Sequence, residues 1–215
     1  DYHIGRLLRH MDATGNLDES LILFTADHGE SLGEHGVHFC HGDVVYNDNI
    51  KVPLWVYSEK NVAPELLDRV VPMADARDIL IDAYESQETL SAQVHGKESL
   101  PVYSTTGSTS PENPLTHIDG MRGRHHSMIQ GQYKMVKIPH PTETIWEMYD
   151  LRNDPSELTN IINDPDEEIA VARRSMQNTL LNWISKDGEY LDPVTDIIPE
   201  DPQAILELKS LGYID

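Results

Sequence analysis

The 215-residue chain has one cysteine, Cys40, so it closes no internal disulfide and holds no thiolate-rich zinc site. No run of eighteen or more apolar residues exists, so no segment reads as a membrane-spanning helix. Basic residues are scarce: 16 Lys plus Arg stand against 37 Asp plus Glu, a formal net charge of −21. That field repels nucleic acid and anionic lipid, which makes both poor partners. Sparse Lys with plentiful Asp leans toward a salt-adapted source, where screening relieves self-repulsion. There is no initiator Met, and Asp1-Tyr2-His3-Ile4-Gly5-Arg6 does not look like a signal peptide. The numbering therefore reads as beginning inside a longer protein. Location stays open, with a prokaryotic cytoplasm favoured.

What is present suffices for a core: hydrophobic residues make up 39% of the chain, and the length fits one good-sized domain, or one with a small appendage. Ile4, Leu7, Leu8 and Met11 recur at helical spacing, and Gly15-Asn16 ends that helix. Leu21 to Thr25 and Val52 to Tyr57 are short apolar runs that read as strands buried on both faces. Helix, buried strand, polar loop, buried strand predicts an α/β fold with a largely parallel sheet. A further helix is expected from Ala74 to Ala83, with Ile79 and Leu80 facing inward. Residues from Glu85 to Leu115 read as a long loop, since Ser, Thr, Pro and Gly dominate Ser104 to Pro114. A hairpin from Ser127 to Lys137, turning at Gln130-Gly131, and a strand from Thr144 to Leu151 predict a small antiparallel sheet. Asp-Pro opens three expected helices, at Asp154, Asp164 and Asp201. The second carries the stripe Ile169, Ala172, Met176, Leu180 and Trp183. Two domains follow, 1–115 and 116–215.

The chemistry-bearing stretch is Asp27 to Gly42, with four His, three Glu or Asp and four Gly. Asp27 and His28 sit just past the carboxyl end of the first strand, where α/β sheets bind ligands. A carboxylate beside an imidazole offers a divalent cation one hard oxygen and one borderline nitrogen. The competing reading makes Asp27 a helix cap and His28 a hydrogen-bonding loop residue. His28, His35, His38 and His41 could gather around zinc, yet no His-Glu-x-x-His is present, and two of them read better as surface groups. Cys40 beside His41 suggests a nucleophile and its base, but neighbours in extended chain point apart, so a small buried side chain is preferred. His125 and His126 with Arg122 and Arg124 form the one local basic cluster, read as a solvated turn rather than an anion contact.

Ser20 to Glu30, Leu32-Gly33-Glu34-His35-Gly36, Tyr46 and Val52-Pro53-Leu54 together resemble the C-terminal half of the sulfatase family, in the alkaline phosphatase superfamily. A second segment, Glu147 to Asn160, is similar to that family's Leu-Tyr-Asp-Leu-x-x-Asp-Pro-x-Glu-x-x-Asn signature, and the ending Leu208 to Ile214 is familiar from its prokaryotic members. The resemblance implies an alkaline-phosphatase-like mixed sheet flanked by helices, followed by a small antiparallel sheet with a packed helix. It implies hydrolysis of a sulfate ester by a formylglycine hydrate, with Asp27 and His28 as two ligands of a divalent metal, most often Ca2+, alternatively Mn2+, Zn2+ or Mg2+. His41 matches the group that touches the sulfate or its leaving oxygen, and His38 is a further substrate-binding candidate. The implied partners are a sulfated small molecule or glycan and the N-terminal remainder of the same protein. No Cys/Ser-x-Pro/Ala-x-Arg occurs in the chain, so the nucleophile is expected outside it, and the chain alone is expected to be inactive. Phosphodiester or phosphonate monoester hydrolysis is the rival activity, and a non-catalytic metal-binding module the third reading.

Overall fold

A computed structural model describes residues 1–59, 70–85, 100–106, 124–140 and 143–187. In chain order the elements are α1 (Tyr2–Ala13), β1 (Ile22–Thr25), β2 (Ser31–Leu32), β3 (His38–Cys40), α2 (Asn47–Ile50), β4 (Leu54–Tyr57), α3 (Ala76–Glu85), β5 (Val102–Thr105), β6 (His126–Gln130), β7 (Tyr133–Pro139), β8 (Thr144–Asp150) and α4 (Glu167–Asp187). The chain divides into two compact units, Asp1–Leu180 and Leu181–Asp215, and of the second only the end of α4 is described. The helix expected at Asp201 and the side chain of Arg122 lie outside the described residues.

Helical spacing produces α1 as expected, with Ile4, Leu8 and Met11 half-buried and Leu7 exposed. The chain leaves it through Thr14, and the Asn16 and Leu17 amides donate to the Met11 carbonyl. In α3 Ile79 is buried but Leu80 is exposed, so only one of the two expected inward residues faces in. The expected parallel pairing of the two apolar runs does not occur. β1 and β4 pair antiparallel, with Ile22 opposite Tyr57 and Thr25 opposite Leu54. The connection leaves after Thr25 and returns just before its partner Leu54, so it closes one end of the ladder; a parallel pair needs a crossover to the far end. Neither strand is buried on both faces: β1 is half-buried throughout, and β4 alternates, leaving Trp55 and Tyr57 exposed. Phe24 and Trp55 stack across this ladder at 4.8 Å.

The larger sheet has four antiparallel strands in the order β5-β6-β7-β8, one more than expected. Its extra strand, β5, falls in the segment read as loop. The two-residue turn of the hairpin is Gly131-Gln132, one residue later than expected, with Gly131 at φ +60. That left-handed conformation is the reason for a glycine there. Strand alternation then assigns the faces. Met128, Met135 and Met148 are opposite one another on three strands and wholly buried. On the other face Val136, Ile138 and Tyr149 join Val44, Val45 and Tyr46 in one core cluster, flanked by Val37, Ile50, Ile145 and Leu151. The stretch after β3 is thus packed on the four-stranded sheet.

Period-two alternation also puts Lys134 on the Val136–Ile138 face, where it is fully buried. Its ammonium lies 2.5 Å from Glu157 Oε1, and both side chains are out of solvent. Lys134 Nζ also donates to Asn47 Oδ1 at 3.2 Å, while the Asn47 amide donates to Glu157 Oε2 at 2.6 Å. Burial holds the Lys134 pKa below its ordinary value, against the upward pull of Glu157. Asp154-Pro155 does not start a helix, contrary to expectation. The Asp154 carboxylate instead accepts the Leu158 and Thr159 amides, closing a turn that holds Glu157 at φ +56. An acid held in the core by an ion pair cannot also sit on an exposed helical first turn. The Asp164 segment does lead into α4, whose first-turn amides are capped by Asp166, and its apolar stripe is buried or half-buried as expected.

His125 and His126 are buried, not solvated. Burial lowers both to about 4; Asp43 opposes this at His125, while Lys137, Arg124 and His125 add to it at His126. Between pH 6.5 and 4 the unfolded chain therefore binds more protons than the folded one, so stability is present above pH 6.5 and is lost as pH falls. The urea midpoint is expected to decline steadily from pH 7 to pH 5, and a His125→Gln/His126→Gln variant to show a flatter slope; an equal slope would count against it. Removing one member of the buried ion pair, by Lys134→Met or Glu157→Gln, is expected to cost about 3–5 kcal/mol. The double variant Lys134→Met/Glu157→Gln is expected to recover more than half of the summed loss in urea unfolding, because no unpaired charge stays buried. Simple addition of the two losses would refute the coupling.

Candidate active site

The loop after β1 is fixed from one side. A Cβ on Gly29 would lie 1.9 Å from the Asp48 carbonyl oxygen, so only glycine permits this approach. The Gly29 amide donates to the Asn49 carbonyl at 2.7 Å. Two residues on, the buried Ser31 hydroxyl bonds the Asp48 carboxylate and accepts from Asn49 Nδ2 at 2.5 Å. The loop is thereby riveted to α2, which Lys134 and Glu157 hold at its first residue.

On this base three candidate side chains come together. Asp27 Oδ1 accepts the His28 amide at 3.0 Å, and Asp27 Oδ2 stands 3.6 Å from His28 Nε2. His28 Nδ1 is 2.8 Å from the Gly29 carbonyl, an acceptor only, so Nδ1 carries the proton and Nε2 keeps its lone pair toward Asp27. The His28 ring stacks on His41 at 4.1 Å between centroids and 17° between planes. His41 Nδ1 in turn lies 2.9 Å from Glu30 Oε2. No helix starts at Asp27, so the capping reading is not realised, whereas the loop hydrogen bond foreseen for His28 is present.

His35 and His38 go elsewhere. His35, at φ +53, stacks on Tyr46 at 3.8 Å. His38 is exposed on β3, its ring near Gly33. No cluster of three or more His, Cys, Asp or Glu able to hold a metal occurs among the described residues, so the zinc cluster allowed by the spacing does not form. Asp27 and His28 bring one oxygen and one nitrogen to face each other. Two lone-pair atoms facing each other at 3.6 Å repel unless a cation or proton stands between them. That spacing is also less than twice the roughly 2.3–2.6 Å of a calcium–ligand bond, so both can reach one ion. The residues present fit a divalent cation.

The Cys40 thiol donates to Asp43 Oδ2 at 2.9 Å and lies 3.9 Å from the His41 carbonyl. Burial first, then Asp43, push its pKa up to about 12, so the reactive thiolate is absent near neutrality. Sequence reasoning missed Glu30 as the partner of His41, and Asp48 and Asn49 as the seat of the loop. It missed Glu147 as well, which accepts both buried tyrosine hydroxyls, Tyr46 at 2.8 Å and Tyr149 at 2.9 Å. Only Glu147 had a usable signal, its alternation with Tyr149 on the core face of β8.

Comparison with known proteins gives this geometry its family. The N-acetylglucosamine-6-O-sulfatase of Bacteroides thetaiotaomicron is 28% identical over 173 residues, 75% of this chain and 30% of that protein. A structure solved in complex with its substrate D-glucosamine-2-N,6-O-disulfate superposes with a TM-score of 0.61 at 23% identity, over 85% of this chain and 37% of that one. The phosphonate monoester hydrolase of Agrobacterium radiobacter superposes at 0.58 and 22% identity, over 84% and 38%. The mixed α/β fold is therefore that of the sulfatases and their alkaline-phosphatase-like neighbours. The chain spans about a third of the length of the curated relatives it matches. The family model described as N-sulphoglucosamine sulphohydrolase, C-terminal, matches residues 33–186, and the chain belongs to that sulfatase family.

Proposed function

We propose that this chain carries part of the active site of a metal-dependent sulfuric ester hydrolase, with Asp27 and His28 as metal ligands and His41 as the acid. The observation that carries the reading is the His28–His41 stack, each ring tied through Nδ1 to a fixed acceptor. Gly29 O fixes the tautomer of His28 so that its Nε2 is free to coordinate. Glu30 holds His41 by Nδ1–H; once protonated, His41 offers Nε2–H to the departing oxygen of the ester. A divalent cation on Asp27 and His28, calcium first and manganese, zinc or magnesium as alternatives, would supply Lewis acidity toward the ester oxygens. His38, exposed on β3, is proposed to touch the organic part of a sulfated small molecule or glycan. A division near residue 115 into a catalytic part and a small C-terminal part belongs to the same reading.

The likeness to the phosphonate monoester hydrolase favours one second reading, hydrolysis of a phosphonate or phosphodiester by the same residues. The chain has no Cys/Ser-x-Pro/Ala-x-Arg sequence, so in isolation it is expected to turn over neither class; hydrolysis of an aryl sulfate by it would refute the assignment. In the complete gene product, Asp27→Ala and His28→Ala are each expected to weaken calcium binding at least about tenfold by calorimetry. Unchanged affinity in both would overturn the ligand assignment.

A further inference from the structure

Phe39 is placed at two costs that its surroundings among the described residues do not repay. Its side chain is 81% exposed. Its backbone sits at φ +51, the left-handed region that an aromatic residue occupies only under strain. The cause is local: Ser31 pairs with Cys40 and Leu32 with His38, so Phe39 is the extra residue of a bulge and has no partner on β2. A bulge of this kind re-aims a side chain, and such bulges concentrate beside active sites. Leu32 on the facing strand is also exposed, which puts a second apolar side chain on the same short hairpin. Two residues beyond Phe39 the chain reaches His41, stacked on His28.

We propose that Phe39 determines specificity: its ring is the platform for the cyclic organic group of the ester, while Asp27, His28 and His41 handle the charged end. This rests on the proposed function above. An aromatic face packs against an aryl ring or the C–H face of a sugar, and an inorganic oxyanion offers it nothing. A ring turned out two residues from His41 would select ring-bearing esters without adding charge to a strongly acidic chain.

The test uses the complete gene product with calcium, 4-nitrophenyl sulfate as substrate and inorganic sulfate as a competitive inhibitor that lacks a ring. Phe39→Ala is expected to raise KM about tenfold, with kcat within about threefold and the sulfate inhibition constant within about twofold. Phe39→Trp is expected to keep KM within about twofold of the parent. Phe39→Gly is expected to raise KM as Phe39→Ala does, with an unchanged or higher Tm because the backbone strain is released. A KM unchanged in Phe39→Ala, as a docking site for another protein would give, overturns the proposal. So does a parallel rise in KM and the sulfate inhibition constant. Should the parent protein hydrolyse 4-nitrophenyl phenylphosphonate but no sulfate ester, the sulfatase reading falls alone. The same variants, with phosphate as the ring-free inhibitor, then decide for or against Phe39 by the same criterion. Turnover of neither ester overturns both.

Discussion

A single buried ion pair governs how the candidate site is held. Lys134 and Glu157 meet inside the protein, and between them they take both the side-chain oxygen and the backbone amide of Asn47, the first residue of α2. Two charges out of water are costly, and their attraction offsets the cost only when the remaining donors and acceptors are satisfied. Here the short helix supplies those extra partners. The sheet therefore cannot be packed without α2 in place, and α2 cannot be moved without exposing a charge to apolar surroundings.

That constraint propagates. Gly29 lies against the Asp48 carbonyl, and Ser31 bonds Asp48 and Asn49, so the loop bearing Asp27 and His28 inherits its position from the same four-residue helix. The apolar cluster of Val44, Val45 and Tyr46 on Val136 and Ile138 acts in parallel, since it fixes the chain between His41 and α2. Exposed side chains of a site are held accurately when the backbone beneath them has no alternative packing. The solvent-facing Asp27 and His41 are placed in this way.

The sequence was most legible where one residue's neighbours decide its state. The stripe of α4, the helix α1, the antiparallel hairpin and the pairing of Asp27 with His28 all follow from local period or local geometry. It was least legible where a distant partner decides. Glu157 reads as a first-turn helix acid until Lys134, twenty-three residues earlier, claims it. β1 and β4 read as parallel strands because apolar content says nothing about which end of a ladder the connection closes. His125 and His126 read as a basic surface pair, and burial keeps them neutral well below the ordinary histidine pKa. The Glu147 to Asn160 segment shows the same division. Its recognisable residues mostly hold backbone and buried hydroxyls: Asp150 accepts the Arg152 amide, Asn160 Oδ1 accepts the Met148 amide, and Glu147 accepts two tyrosines. That signature identifies the family by encoding a support, not by carrying chemistry.

The electrostatics of the site point the same way as its hydrogen bonds. Asp27, Glu30 and Asp43 all lie within the short stretch that a sulfate ester would approach under the proposed function, in a chain of net charge −21. An anion about 4 Å from one carboxylate meets roughly 1 kcal/mol of repulsion in water and about 4 kcal/mol near a protein surface. Each of these acids is partly occupied: Glu30 by His41, Asp43 by the Cys40 thiol, Asp27 by the His28 amide. Of the three, only Asp27 directs its second oxygen at a lone-pair nitrogen, an arrangement that itself calls for positive charge. A divalent cation at that point would remove the repulsion between the two donors and weaken the negative field that the substrate would meet. The same ion would thus satisfy the protein and attract the ester, which would let an acidic loop serve an anionic substrate.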